Sequence, residues 1–193
     1  MIIDRADIRD IVIFEPKIIE DDRGYFFESF RLDDFNSNIS SVHFKQENQS
    51  KSAKGTFRGL HYQLKKPQGK LVKVAKGRVM DIAVDIRKNS PTFGKSFSME
   101  INDKKHTMMY IPPGFAHGFY VLSEYAIFQY KCTAYYDPLD EYGINWNDED
   151  LDLDIPKSKM IISERDQKLP KLKNVDKKLL PAWNNLKWYQ LIL

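Results

Sequence analysis

The chain has a single cysteine, Cys132, so no disulfide can form within it. That favours a reducing compartment, and a cytoplasmic location is the expectation. Histidine is scarce too: only His43, His61, His106 and His117 occur. No His-x-His pair exists, which removes a common source of metal ligands. No apolar run approaches the roughly 20 residues of a membrane helix. The first residues, Met1-Ile2-Ile3-Asp4-Arg5, are not a secretory signal. The formal net charge is only +3, too small to argue for nucleic acid or an anionic membrane as partner. A glycine-rich phosphate loop is also missing. Gly114-Phe115-Ala116-His117-Gly118 has neither the spacing nor a following helix.

What is present suits one soluble β domain. The 193 residues suffice for a single core, read as one domain over 1–193 with a C-terminal extension from about Lys171. Short runs of β-branched and aromatic residues alternate with turns. Ile8–Glu20 reads as one or two strands, with Pro16 at an edge. Asp21-Asp22-Arg23-Gly24 is a turn, Tyr25–Phe30 a strand, and Leu32–Phe35 a single helical turn. Strands are expected at Val42–Asn48, Thr56–Gln63, Lys95–Asn102, His106–Ile111, Ala116–Leu122 and Ala126–Tyr136. Lys70–Ala75 and Arg78–Arg87 read as a hairpin across Lys76-Gly77, pairing 74 with 79 and 72 with 81. The pleat puts Lys70, Val72, Val74, Val79, Asp81, Ala83 and Asp85 on one face, with Lys70 and Asp81 as diagonal neighbours. Met80, Ile82, Val84 and Ile86 make an apolar stripe on the other. On the last long strand, Tyr130 shares the inner face with Ala126, Phe128 and Cys132. Beyond Asp137 the strand pattern fades. Ser163-Glu164-Arg165-Asp166 fits a helix start, and Lys177–Leu180 a short helix ended by Pro181. The class is an all-β sandwich or barrel, with helix concentrated after about residue 160. The acidic block Asp148, Glu149, Asp150, Asp152, Asp154 and the basic block Lys168, Lys171, Lys173, Lys177, Lys178 read as solvated surface.

The chemistry centres on Arg58-Gly59-Leu60-His61. Arg58 and His61 have opposite pleat parity, so a regular strand sends them to opposite faces. A bulge at Gly59 would bring both inward; periodicity alone leaves this open. Lys70 on an interior face needs a partner such as Asp81 or an anionic ligand. Pro112-x-Gly114-x-x-His117 is similar to the second motif of the cupin jelly rolls, many of which hold a metal. The first motif's extra ligands are absent around His61, so no metal is expected. Cys132 has no histidine beside it and reads as a core residue. What remains is a metal-free acid/base set. It has an imidazole, His61; an ammonium, Lys70; a phenol, Tyr130; and a carboxylate, Asp81 or Asp166. Such a set suits proton abstraction beside a carbonyl, through an enolate.

Several ordered motifs resemble the dTDP-4-dehydrorhamnose 3,5-epimerase family. They are Asp22-Arg23-Gly24-x-Phe26-x-Glu28, Arg58-Gly59-Leu60-His61-Tyr62-Gln63, Gly69-Lys70-Leu71-Val72, Asp81–Arg87, Ile111–Phe119, Tyr130-x-Cys132 and Trp146-Asn147-Asp148. The resemblance spans about residues 10 to 170. It implies a cupin-type jelly-roll barrel and a homodimer exchanging N-terminal strands. It also implies cofactor-free epimerisation at C3 and C5 of a dTDP-linked 4-keto-6-deoxyhexose. By the same carry-over His61 is the base, Asp166 its orienting carboxylate, Lys70 the enolate stabiliser and Tyr130 the opposing acid. Arg23, Glu28, Gln46, Asn48, Arg58, His117, Tyr136 and Glu141 match positions contacting the nucleotide or sugar, with Asp81 as support. Gln49 departs from a pattern that more often has histidine, and the tail Lys171–Leu193, with Trp183 and Trp188, is longer and more basic than the pattern. The tail reads as packing on the barrel or the dimer partner. The competing readings are a C3-only epimerase, a 3,4-ketoisomerase, a non-catalytic sugar-binding jelly roll and a metal-dependent oxygenase.

Overall fold

The computed structural model describes residues 1–8, 10–39, 42–153, 155–156 and 160–183. Asp154 of the acidic block and Trp188 of the tail lie outside the described residues. The strands, in chain order, are β1 (Ile2–Arg5), β2 (Val12–Glu15), β3 (Ile19–Asp21), β4 (Gly24–Phe26), β5 (Gln46–Ala53), β6 (Phe57–Gln63), β7 (Lys70–Lys76), β8 (Arg78–Asp85), β9 (Ser96–Asn102), β10 (Met108–Ile111), β11 (Phe115–Val121), β12 (Tyr125–Cys132) and β13 (Glu141–Gly143). Among the described residues two α-helices join them, α1 (Leu32–Ile39) and α2 (Glu164–Gln167), with 3₁₀ turns at Leu172–Asn174 and Lys177–Leu179.

Two sheets pack face to face as a jelly roll. One has the order β1-β2-β10-β7-β12-β5 and the other β13-β6-β11-β8-β9; β3 and β4 form a separate ribbon. Strand alternation explains the layering. Val72, Val74, Met109, Ala126 and Phe128 from the first sheet meet Val79, Ala83, Ile101, Phe115 and Phe119 from the second. Residues of opposite parity face outward into two further apolar layers. Val12, Phe14, Leu71, Met108 and Tyr110 are covered by Phe35 and Ile39 of α1. Ile82, Val84, Ile86, Leu60 and Tyr62 are covered by Leu151, Leu172, Val175 and Leu180. The second layer accounts for the apolar stripe on β8, which the C-terminal segment hides from water.

Some expectations are overturned. β7 and β8 are not a hairpin: β7 pairs with β10 and β12, while β8 pairs with β11 and β9. The chain crosses between sheets at Gly77, whose φ of +87° suits glycine. A Cβ there would meet the Tyr125 carbonyl oxygen. The assignment of faces survives, because both strands turn the same residues to the interior. Lys70 and Asp81 therefore face each other across the interior and are not neighbours on one wall. β5 covers Gln46–Ala53 and not Val42–Asn48; this polar segment is a strand because it pairs with β12 along its whole length. Of the strand expected over Tyr25–Phe30, only Tyr25 and Phe26 lie in a ladder. Among the described residues the longest helix, α1, comes early in the chain, not after residue 160.

The charged blocks pair with each other. Lys171 lies 3.4 Å from Glu149 and Lys173 2.9 Å from Asp150. Asp148 is buried, and its carboxylate accepts the Leu172 backbone N–H at 2.7 Å. These contacts fasten the C-terminal segment over the five-stranded sheet. Among the described residues no helix is long and apolar enough to cross a membrane.

Candidate active site

Gly59 decides what β6 presents to the interior. Against β11, His61 pairs with His117 and Arg58 with Phe119, so β6 spends one more residue than its partner between these pairs. The extra residue is a bulge with Gly59 at φ +123°. Phe57, Leu60 and Tyr62 point outward into the covered layer, while Arg58 and His61 both line the interior cavity. A Cβ on Gly59 would lie 2.6 Å from Gly118 Cα and 2.7 Å from the His117 carbonyl oxygen. Gly59→Ala is expected to destabilise the fold by about 3 kcal/mol, combining backbone strain with overpacking. Gly24→Ala is the control, since Gly24 has φ +124° but nothing within 4 Å of a built Cβ. Urea midpoints of the two variants check the difference.

The cavity has a volume of about 560 Å³ and opens between the two sheets and the segment carrying α2. Of the residues expected at the site, His61, Asp166, Lys70, Tyr130, Arg58 and His117 line it. His61 Nε2 lies 2.7 Å from Asp166 Oδ1. The carboxylate can only accept, so Nε2 carries a hydrogen, and in the neutral ring Nδ1 carries the lone pair. Asp166 is placed by its helix: Ser163 caps α2 and accepts the Asp166 N–H. Burial acts to raise the Asp166 pKa, but hydrogen bonds from His61, Gly59 N–H and Ser163 outweigh it and hold the carboxyl below its usual range. On the other side, His61 Nδ1 lies 3.7 Å from Glu141 Oε1. Glu141 also accepts the Tyr136 hydroxyl at 2.9 Å and pairs with Arg165.

Lys70 and Tyr130 occupy the opposite wall, on β7 and β12. The ammonium lies 6.0 Å from the Tyr130 ring centre. Burial pushes the Lys70 pKa down, against the pull of Cys132, Glu141 and Asp81. Burial pushes the Tyr130 phenol up, with Cys132 adding to it and a hydrogen bond with Asn48 opposing it. Tyr130 therefore stays protonated at neutral pH and can serve as an acid. Cys132 is fully buried and burial raises its thiol, in keeping with a core role. Arg58 Nε donates to Ser52 Oγ at 3.0 Å, fixing the guanidinium at the cavity wall.

His117 and Asp81 form a second pair behind the first. His117 Nε2 lies 3.0 and 3.1 Å from the two carboxylate oxygens, and Asp81 is fully buried. Burial lowers the His117 pKa more than Asp81 raises it, so the ring is neutral in the fold. The unfolded chain takes up this proton near pH 6.5 and the fold resists it. Stability is therefore present above that pH and is lost as pH falls below it. His117→Asn is expected to flatten the fall between pH 6.5 and 5 by up to about 1.4 kcal/mol per pH unit. Denaturant unfolding at each pH measures it.

Other expected residues lie elsewhere. Arg23 pairs with Asp21 on the exposed β3–β4 ribbon, and Glu28 pairs with Arg31 at 2.7 Å. Neither lines the cavity of its own chain. Gln46 braces the rim, donating to Asn48 Oδ1 at 2.9 Å and accepting Tyr136 N–H at 2.8 Å. Gln49 turns outward and accepts from Gln129 at 2.7 Å. Sequence reasoning missed Arg165 and Ser50, both of which line the cavity. Arg165 had a signal, one position before Asp166 in the same capped turn. Ser50 had none, because β5 lacks a strand-like composition; its hydroxyl is buried and without a hydrogen-bond partner among the described residues. Among the described residues, no group of three His, Cys, Asp or Glu is placed to hold a metal ion.

Comparison with known proteins bears on this geometry. A family model described as dTDP-4-dehydrorhamnose 3,5-epimerase matches residues 5–174. A protein of that name from Pseudomonas aeruginosa is 47% identical over 165 residues, covering 84% of this chain and 91% of its own. Its namesake from Salmonella typhimurium is 47% identical over 175 residues, covering 89% and 96%. A crystal structure of a 3,5-epimerase from Legionella pneumophila, in complex with dTDP-4-keto-L-rhamnose, superposes with a TM-score of 0.91 at 43% identity, covering 94% of this chain and 98% of that one. A 3'-monoepimerase from Streptomyces bikiniensis, bound to dTDP-quinovose, gives 0.87 at 31% identity, covering 92% of each chain.

Proposed function

Because the chain belongs to the dTDP-4-dehydrorhamnose 3,5-epimerase family, we propose that it epimerises C3 and C5 of dTDP-4-dehydro-6-deoxy-D-glucose. The observation that carries the proposal is the His61–Asp166 pair, with its bare Nδ1, facing an ammonium and a protonated phenol across one cavity. The C4 ketone acidifies both neighbouring C–H bonds. A base and an oxyanion stabiliser then suffice, with no cofactor required. His61 Nδ1 takes the proton, Asp166 steadies the imidazolium, and Lys70 stabilises the enolate oxygen. Tyr130 returns a proton from the opposite wall, which inverts the carbon. Arg58 suits the diphosphate, because its guanidinium fork matches phosphate oxygens.

The working unit is a homodimer in this reading. Ile19, Tyr25 and Phe26 leave large apolar surface exposed on the β3–β4 ribbon. The same segment carries Arg23 and Glu28, which do not line their own cavity. Seated on a partner, it would bring both to the partner's site.

The test is proton NMR with this substrate in D₂O. Deuterium should enter at C3 and C5 and the L-configured ketosugar should appear. Exchange and inversion at C3 alone would instead support the monoepimerase reading, which the likeness to the 3'-monoepimerase structure favours as the second possibility. No exchange at either carbon would end the proposal. Tyr130→Phe is expected to keep part of the exchange, since the base remains, while inverted product falls by about 10²-fold. Equal product formation by the variant would rule out Tyr130 as the acid.

A further inference from the structure

Tyr136 stands where no strand ladder holds it, in the loop between β12 and β13. Loops of this kind are ordinarily the mobile part of a site. Its place nonetheless bears on binding. The Tyr136 hydroxyl donates to Glu141 at 2.9 Å, and Glu141 pairs with Arg165, which lines the cavity. Tyr136 is 48% exposed, so its ring offers a flat apolar face at the rim. With the sugar at His61, the rest of the substrate has to leave by the mouth, where the nucleotide meets this rim.

We infer that Gln63 is a positioning residue that presets Tyr136 for the nucleotide, which rests on the nucleotide-sugar substrate proposed above. Gln63 ends β6, two residues after His61. It is buried and does not line the cavity, so it acts through another group. Its Nε2 donates to the Lys66 carbonyl oxygen at 2.8 Å and to the Tyr135 carbonyl oxygen at 3.2 Å. Its Oε1 accepts the Asp137 N–H at 2.9 Å. The orientation of the amide is forced, because two carbonyls need the nitrogen and an N–H needs the oxygen. Gln46 Oε1 accepts the Tyr136 N–H at 2.8 Å. The peptide group before Tyr136 is therefore held at both its ends, and the one after it at its N–H. With the two planes fixed, the φ and ψ of Tyr136 are fixed as well. Gln68 continues the pattern, donating to the Ala134 carbonyl oxygen at 2.9 Å. Side-chain amides thus do for this loop what a neighbouring strand does for a ladder, since an amide both donates and accepts. A rim ordered before the ligand arrives loses less freedom when it binds.

The experiment is calorimetric titration of dTDP into each variant, beside KM and kcat for dTDP-4-dehydro-6-deoxy-D-glucose. Gln63→Leu removes all of the Gln63 hydrogen bonds. Affinity for dTDP should fall about tenfold and KM should rise by a similar factor, while kcat falls by less than about threefold. In a Tyr136→Ala background the same substitution should cost less than about twofold, because the residue it positions is gone. Unchanged affinity, losses that multiply in the double variant, or a kcat that falls while KM holds would each overturn the role. The last two would mean that Gln63 braces β6 and His61 instead. Gln63→Glu decides the matter if the leucine variant does not fold. Its carboxylate still accepts from Asp137 but faces two carbonyl oxygens, which raise its pKa. Relative to wild type at the same pH, its affinity for dTDP should be about tenfold low at pH 9. It should recover towards pH 6, as the carboxyl gains the hydrogen it must donate. A ratio that does not change between these pH values overturns the role, as does a wild type that binds no dTDP. Wild type that binds dTDP but converts no ketosugar would end the epimerase reading alone, and the dTDP affinities would still judge Gln63.

Discussion

His61→Gln should abolish deuterium uptake at both C3 and C5 and lower kcat/KM by about 10⁴-fold, the upper end for loss of a general base. That is roughly 5.5 kcal/mol of barrier. One nitrogen serves both carbons in this site, so both exchanges must vanish together. Glutamine suits the test because its amide nitrogen can take the place of Nε2 and donate to Asp166, which is buried and would be costly to leave unpaired. The loss should therefore come without unfolding, and a matching urea midpoint checks this. Persistent exchange at one carbon would mean that a second base acts there. His117 would be the first suspect, since it is neutral and pairs across the strands with His61.

The faces of β8 and β12 are legible in the amino-acid pattern alone, because a face buried against a core needs apolar residues at every second position. That alternation puts Asp81 and Tyr130 on interior walls whichever strands are paired. The pairing is illegible for a physical reason. A two-residue turn at Lys76-Gly77 and a crossover between sheets leave the same pattern of faces, so periodicity cannot separate them. The bulge at Gly59 is legible only as a conflict of parity between Arg58 and His61. Its resolution depends on Gly118 of a distant strand, which leaves room for the backbone to approach. Asp166 is reachable through its Ser163 cap, a local signal. Its contact with His61 spans 105 positions of sequence, and no local rule supplies it. The ion pairs between the acidic and basic blocks are hidden for the same reason.

Lys70→Met should lower kcat by about 10²- to 10³-fold, the range for removing one oxyanion stabiliser, while leaving the protein as stable as wild type or more so. The two halves of this expectation have one cause. Among the described residues no carboxylate makes an ion pair with Lys70, and burial lowers its pKa. The fold therefore bears a desolvated ammonium that only an enolate oxygen would fully compensate. Methionine keeps most of the stem's volume and removes the charge. The effect on stability has a definite sign with pH. The unfolded lysine keeps its proton up to about pH 10.4, and the folded one releases it earlier. Between those two values the unfolded state binds more protons, so wild-type stability rises with pH through that window. Lys70→Met should lack the rise and sit above wild type at neutral pH. Urea unfolding at pH 7 and pH 10, beside kcat at pH 7, reads all of it. A variant that is both inactive and strongly destabilised would mean that Lys70 is held for the fold, and the enolate would need another stabiliser.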